Sequence, residues 1–163
     1  MKISIYDLKV SEKRIPYLKE IAETDETDEQ VYTTPEKVVE TAQRIIRNYF
    51  DIKNLPEEFI WMGAFDTRLH LTGIFEVAHG SMDTCQISTA GILQRALLSG
   101  ARQIMLIHNH PSGDFEPSKY DSMFTEKIKK ACKVCDIGLM DHIILPGAGK
   151  TEGYYSYLQN GML

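Results

Sequence analysis

The segment of residues 103–121 constrains the fold of this chain more than any other. Residues 103–107 form a mostly apolar run, which predicts a buried strand. Side chains two apart on a strand face the same way, so His108 and His110 are expected to project together from its C-terminal end. A loop with two prolines and a glycine follows, and a helical pattern then delivers Asp121 from a different element. Two imidazoles and one carboxylate suit zinc and leave a fourth position for water.

Each part of this segment also has an ordinary structural explanation. A histidine at a strand end is commonly a polar residue without a ligand, and Ser118 with Asp121 forms a capping box at a helix start. Asp121, however, lies three residues before Phe124 and seven before Ile128, on the apolar side of the predicted helix. An inward carboxylate opposite two co-facing histidines favours the metal site.

Helical and strand-like patterns alternate along the rest of the chain. The patterns predict a helix from residue 35, a hairpin of strands at 58–65 and 69–78, a helix from 88 or 89 that ends before Gly100, a helix at 118–135, and strands at 137–145 and 154–158. The early hairpin makes the sheet mixed. The predicted class is α/β, with α+β as the alternative, and a single mixed sheet flanked by helices.

The first 33 residues are expected to form an extension that precedes a compact domain of residues 34–163. Ile3, Ile5 and Leu8 predict a short strand, and residues 11–23 predict a helix. Five of the seven residues 23–29 are acidic and have no apolar partner, which is typical of a solvated linker. A role in interaction is the alternative for this acidic stretch.

Length and composition limit the classes of function. At 163 residues the chain is about one domain long, and its net charge of −5 does not favour a surface that grips nucleic acid. The apolar runs are too short to span a bilayer and the N-terminus lacks a signal sequence, so we expect a cytoplasmic protein with no membrane partner. Three cysteines fit a reducing compartment. Cys132 and Cys135 are interpreted as helix core residues, with a metal or redox role of this C-x-x-C pair as the alternative.

Hydrolysis at a zinc site needs a second acidic group. Zinc lowers the pKa of bound water to roughly 7, and a nearby carboxylate is then wanted to take the proton and pass it to the leaving group. Glu76 is an acid within the otherwise apolar stretch of residues 73–78 and is the candidate for this role. An outward-facing strand residue is the alternative interpretation.

Residues 108–114, together with Pro117, Ser118 and Asp121, resemble the JAMM signature of the JAB/MPN metalloproteases. The run His-Asn-His-Pro-Ser-Gly resembles the bacterial RadC-like branch in particular. Further stretches of likeness are Gly80-Ser81 after Glu76, Asp141-His142-Ile143-Ile144 and Tyr155-Ser156-Tyr157, so that the resemblance covers residues 34–163.

The resemblance implies the cytidine-deaminase-like architecture of JAB/MPN domains and Zn²⁺ as cofactor. It implies that His108, His110 and Asp121 hold the zinc. It assigns Glu76 as the general acid/base, and Ser118 as the residue that orients the water or stabilises the oxyanion. His142 is expected either to contact one of the metal ligands without binding the metal itself or to have a purely structural role.

Three functions are open at this point. The first is a zinc metallohydrolase that cleaves a peptide or isopeptide bond of an unidentified peptide or protein substrate. The second is a DNA-associated repair accessory or nuclease, although RadC proteins commonly carry an N-terminal helix-hairpin-helix region that residues 1–33 are too short and too acidic to resemble. The third is a scaffold that keeps the fold without turnover. The sequence does not determine the oligomeric state.

Overall fold

The computed structural model of this protein describes residues 2–27, 35–50, 55–80, 88–147 and 153–163. In chain order the elements are β1 (Lys2–Val10), β2 (Pro16–Thr27), α1 (Pro35–Phe50), β3 (Glu58–Phe65), β4 (Leu71–Gly80), α2 (Thr89–Leu98), β5 (Gln103–His110), α3 (Lys119–Val134), β6 (Gly138–Pro146) and β7 (Tyr155–Ser156). None of the helices in these ranges has the length and apolar character needed to cross a membrane.

The strands form one mixed sheet of seven strands in the order β2-β1-β4-β3-β5-β6-β7. β3 pairs antiparallel with both β4 and β5, whereas β1 with β4 and β5 with β6 are parallel pairs. Buried residues of α1 pack with one apolar cluster, and those of α2 and α3 pack with a second cluster. The predicted class, a single mixed sheet flanked by helices, is therefore confirmed.

Strand β5 lies inside the sheet and is covered on both faces, which explains its continuous apolar sequence. Met105 and Ile107 belong to the cluster that contains residues of α1, and Ile104 and Leu106 belong to the cluster that contains residues of α2 and α3. Alternation along the strand then continues the second face to positions 108 and 110. The two histidines are consequently directed toward α3.

The predicted helix over residues 11–23 is wrong. Ser11 and Arg14 belong to a tight turn, in which Arg14 has a positive φ of 59° and its N–H donates to the Ser11 carbonyl at 2.8 Å. Pro16 then begins β2, and a proline inside a helix would remove a hydrogen bond and clash with the preceding turn. The apparent helical spacing of this segment is therefore overridden by turn and strand formation.

The β1–β2 hairpin is part of the central sheet and is not a separate leader. Ser4 to Tyr6 of β1 pair with Gly73 to Phe75 of β4, and Ile3 and Ile5 are buried. The predicted strand around Ile3, Ile5 and Leu8 is thus confirmed. Residues 23–27 of the expected acidic linker belong to β2, and the remainder of that stretch lies outside the described residues. The domain boundary at residue 34 stays a prediction.

Cys132 and Cys135 lie at the C-terminal end of α3 and are both reduced. Cys132 is fully buried within the second apolar cluster, and Cys135 packs against that cluster. Burial raises the pKa of the Cys132 thiol to about 11, which keeps it protonated and unreactive. The interpretation of this pair as core residues agrees with the structure, and Cys85 lies outside the described residues.

Asp141 connects β6 to the C-terminal segment through a buried carboxylate. Oδ1 accepts hydrogen bonds from the backbone N–H groups of His142 at 2.7 Å and Leu158 at 3.0 Å, and Oδ2 accepts one from Ser156 Oγ at 2.6 Å. Burial raises the pKa of Asp141 and these hydrogen bonds oppose that rise. The carboxylate therefore satisfies three donors at once.

We expect Asp141→Ala to lower the free energy of unfolding by about 3 kcal/mol, because it leaves buried donors without an acceptor. Urea denaturation followed by circular dichroism measures this change. Glu126→Ala removes an exposed acid that pairs with exposed Lys130, and this control should change stability by less than about 0.5 kcal/mol. Equal stability of the two variants would contradict the structural role of Asp141.

Candidate metal centre

His108 and His110 stand at the C-terminal end of β5 and face each other. His108 is fully buried, and the His110 side chain is mostly buried, with 12% of its surface exposed. Their Nε2 atoms are 2.9 Å apart, which brings two potential ligand nitrogens to the same point. The sequence prediction that these side chains project together from the strand end agrees with this geometry.

Asp121 enters from the first turn of α3 and is also buried. Its backbone N–H donates to Ser118 Oγ at 3.1 Å, and its Oδ2 accepts from the Ser118 N–H at 2.7 Å, which completes a capping box. Oδ1 lies 3.3 Å from Nε2 of His108, and Oδ2 lies 3.6 Å from Nε2 of His110. The helix cap therefore also fixes the carboxylate beside the histidines.

The three side chains fit a bound metal ion. One candidate ligand atom from each of His108, His110 and Asp121 lies within 4.8 Å of the others, and this is the one such group within the described ranges. Oδ1 of Asp121 is buried and accepts no hydrogen bond of good geometry from the described residues. A cation between the two nitrogens and this oxygen would satisfy all three. Two imidazoles and a carboxylate suit Zn²⁺ and similar divalent ions.

The pKa values of the cluster favour this use. Burial tends to raise the pKa of Asp121, but His108 and His110 outweigh it and hold the pKa far below its ordinary value, so the carboxylate is ionised. Burial lowers the pKa of His108, against the opposing effect of Asp121. Burial also works to lower the pKa of His110, but Asp121 and weaker contributions raise it overall. At neutral pH the cluster offers a neutral His108 and a negative Asp121.

The loop after β5 fixes the ring of His110. Its Nδ1 is 2.8 Å from the Asp114 carbonyl, which can only accept, so Nδ1 carries a proton, and in the neutral ring Nε2 has the lone pair that a metal needs. Gly113 has a positive φ of 79° and donates to the His110 carbonyl, which tightens the turn. Gly147 donates to the same carbonyl, and a Cβ at Gly147 would lie only 2.9 Å from that oxygen.

His142 lies behind His108, away from the metal position. Its Nε2 is 2.8 Å from Nδ1 of His108, and its Nδ1 is 2.6 Å from Thr125 Oγ1. The ring is fully buried and stacks on Tyr157 at a centroid distance of 5.2 Å and an interplanar angle of 9°. Burial lowers the pKa of His142 well below its ordinary value. His142 therefore contacts a candidate ligand without being one.

The structure does not bring Glu76 to the cluster. Strand β3 lies between β4, which carries Glu76, and β5. The Glu76 carboxylate contacts His79 at 3.1 Å and lines a separate cavity of about 420 Å³ together with Arg95. The prediction of Glu76 as the general acid/base is therefore corrected, because β3 separates the strand that carries Glu76 from the strand that carries the two histidines.

Glu57 and Glu58 both line the cavity at the cluster, and the charge of Glu58 acts on His110. The cavity has a volume of about 530 Å³ and is also lined by His110, Ser118 and Asp121, and the charge of Glu58 contributes to the raised pKa of His110. β3 runs antiparallel to β5, with Ile60 opposite His108, so the start of β3 lies beside the end of β5. The sequence signal for this position was an acid at the first residue of a predicted strand, and the place of that strand beside β5 is known only from the structure.

Asn109 holds the start of β3 against the end of β5. Its Nδ2 donates to the Glu57 carbonyl at 3.1 Å, and its Oδ1 accepts from the Phe59 N–H at 2.8 Å. The two hydrogen bonds flank Glu58, and Asn109 itself is fully buried. The residue between the two histidines thus fixes the backbone of the nearby acid.

A mixed sheet with a His-x-His pair at the end of one strand and an aspartate at the start of the following helix is the arrangement of a JAB-type domain with a candidate metal site. The family model for the RadC-like JAB domain matches residues 32–162. The chain belongs to the RadC-like JAB domain family.

Proteins similar in sequence to this chain occur in several bacteria. A UPF0758 protein of Thermotoga maritima is 30% identical over 129 residues, which cover 79% of this chain and 56% of that protein. A UPF0758 protein of Coprothermobacter proteolyticus is 32% identical over 134 residues, covering 82% of this chain and 55% of that protein. A UPF0758 protein of Chlorobium phaeovibrioides is 36% identical over 107 residues, which cover 66% of this chain and 46% of that protein. The chain spans about half the length of these relatives.

Proposed function

We propose that this protein is a zinc metallohydrolase that cleaves a peptide or isopeptide bond. The observation that carries the proposal is the buried cluster of His108, His110 and Asp121, which opens into a cavity also lined by Glu58. Zn²⁺, when bound, would supply a Lewis acid that polarises a carbonyl and makes water acidic near neutral pH. The family membership and the donor set both support this chemistry.

The other residues have roles that follow from their positions at the cavity. Glu58 would take the proton of the attacking water and deliver it to the departing amine. Ser118 Oγ accepts from the Asp121 N–H, so the hydroxyl proton is available to an oxygen in the cavity, where it would stabilise the developing negative charge. Glu58 thus replaces Glu76 in the proposed mechanism, and Ser118 keeps its proposed task.

The substrate in this proposal is a peptide or protein segment, and the compartment is the cytoplasm. A catalytically silent scaffold would not need an acid beside the three candidate metal ligands, so the position of Glu58 favours an active enzyme. The acidic balance of the chain gives no support to binding along a nucleic-acid backbone.

Metal content and cleavage test the proposal together. Purified protein should contain about one zinc per chain by plasma emission spectroscopy, and His110→Ala should contain far less. The zinc-loaded protein should cleave members of a mixed library of linear and lysine-branched peptides, as followed by mass spectrometry, and cleavage should stop with a chelator and return with zinc. Equal zinc in the two proteins, or cleavage that survives complete chelation, would overturn the proposal.

The same preparation also tests the DNA-associated alternative. Binding of a short DNA duplex at moderate salt, weakening as the salt concentration rises, would favour that alternative. The absence of a mobility shift under those conditions, together with peptide cleavage, supports the hydrolase.

A further inference from the structure

A buried chain of hydrogen bonds runs from the backbone of Asp121 to the ring of His108. Thr125 Oγ1 lies 2.6 Å from the Asp121 carbonyl oxygen, one helical turn earlier in α3. The same Oγ1 is 2.6 Å from Nδ1 of His142, and Nε2 of His142 is 2.8 Å from Nδ1 of His108. This series of hydrogen bonds therefore begins at Asp121 and ends at His108, which are both residues of the candidate metal centre.

The number of protons available in this series of hydrogen bonds determines which atom donates and which accepts in each bond. A carbonyl oxygen can only accept, so the single hydroxyl proton of Thr125 must go to Asp121. Thr125 Oγ1 must then accept from His142, which places a proton on Nδ1 of that ring. The opposite direction would leave two oxygen lone pairs facing each other at 2.6 Å, which is strongly unfavourable in a buried position.

The proton position on His142 determines the proton position on His108. His142 is fully buried, and its partners in the described part of the chain are a hydroxyl and a second imidazole, not a carboxylate, so the ring is neutral. With the proton on Nδ1, its Nε2 has a lone pair and accepts from Nδ1–H of His108. His108 then has no proton on Nε2, the atom that faces His110 and Asp121.

We propose that Thr125 and His142 are positioning residues that set the tautomer of His108, so that its Nε2 is ready to bind the metal before the metal arrives. The proposal rests on the proposed metal centre and adds two residues that touch neither metal nor substrate. Tyr157, stacked on His142, holds the ring in the plane that both hydrogen bonds require. If each hydrogen bond ran in the opposite direction, Nε2 of His108 would carry a proton, and metal binding would have to displace it.

A pair of Thr125 variants tests the first step. Thr125→Val keeps the shape of the side chain and removes the hydroxyl, and we expect it to weaken zinc binding by roughly 10- to 100-fold. Thr125→Ser restores the hydroxyl and should bind within about threefold of the wild type, since such a difference is below 1 kcal/mol. Competition with a chromogenic chelator measures affinity, and thermal unfolding of the metal-free proteins shows that each variant is folded.

A pair of His142 variants tests the second step. Gln carries an oxygen at about the distance of the histidine Nε2, so His142→Gln can still accept from His108. Met has a similar length and only a weak acceptor, so His142→Met cannot. We expect Gln to retain most of the zinc affinity and Met to lose it. Equal affinity in Gln and Met variants of equal stability would overturn the proposal.

Nitrogen-15 spectroscopy of the metal-free protein reports the tautomer directly. The wild-type spectrum should show His108 protonated on Nδ1, and the Thr125→Val spectrum should show an increased share of protonation on Nε2. A wild-type His108 protonated on Nε2 would overturn the proposal. Failure to cleave any peptide would instead count against the proposed hydrolysis alone, because the tautomer and the zinc affinity are measured without a substrate.

Discussion

Glu58→Gln is expected to abolish amide hydrolysis and to leave metal binding intact. The substitution keeps the size of a side chain that lines the cavity beside His110 and Asp121, but it removes the carboxylate that we propose takes and returns the proton. General acid–base catalysis by one residue contributes about 10²- to 10⁴-fold, so the zinc-loaded variant should lose at least about 100-fold in cleavage rate. Its zinc content should equal that of the wild type.

Two matched substitutions make this prediction specific. Glu76→Gln alters the acid that the sequence favoured, which lies across β3 and contacts His79, and its cleavage rate should be unchanged. Glu57→Gln alters an exposed acid next to Glu58 and controls for the loss of one charge at the cavity. The assignment would fail if Glu58→Gln cleaved at the wild-type rate, or if Glu76→Gln lost activity while it retained zinc.

The three candidate ligands were predictable because their placement depends on short-range geometry. Alternation along one strand brings His108 and His110 to the same side, and the capping position brings Asp121 to the inner face of the helix. Neither step requires knowledge of which strands are neighbours.

Local patterns could not show whether Glu76 or Glu58 is the acid beside the candidate ligands. Glu76 and Glu58 belong to the two strands of one predicted hairpin, and the sequence does not say which strand lies next to β5. The structure places β3 there, so the first residue of β3 reaches the histidines and the middle of β4 does not. Strand order depends on pairing between distant segments, such as Ile60 with His108, which local patterns do not determine.

The N-terminal hairpin was missed for a related reason. Its pairing with β4 joins Tyr6 to Phe75, so the partner that stabilises the strand lies far along the sequence. Thr125, in contrast, left a readable signal, because a hydroxyl on the buried face of α3 needs a partner. That signal identifies a polar contact but not His142 as the residue that provides it.

Asp121→Asn is expected to remove most of the metal affinity while the protein remains folded. The amide keeps the shape of the carboxylate and one acceptor oxygen for the Ser118 N–H, so the helix cap is largely retained. It loses the negative charge that balances the cation in a buried site. Structural zinc sites with four ligands bind with about 10–16 kcal/mol, so one ligand is worth roughly 3 kcal/mol, or about 100-fold in affinity.

Ser118→Ala provides the matched control for this substitution. It removes the hydroxyl that accepts from the Asp121 N–H, which costs about 1 kcal/mol of stability, but it leaves all three candidate ligands. Its zinc affinity should therefore stay much closer to that of the wild type than the affinity of Asp121→Asn. Chelator competition on the three proteins measures the difference. If Asp121→Asn bound zinc as tightly as Ser118→Ala, Asp121 would act as a helix cap alone and the metal centre would need another oxygen ligand.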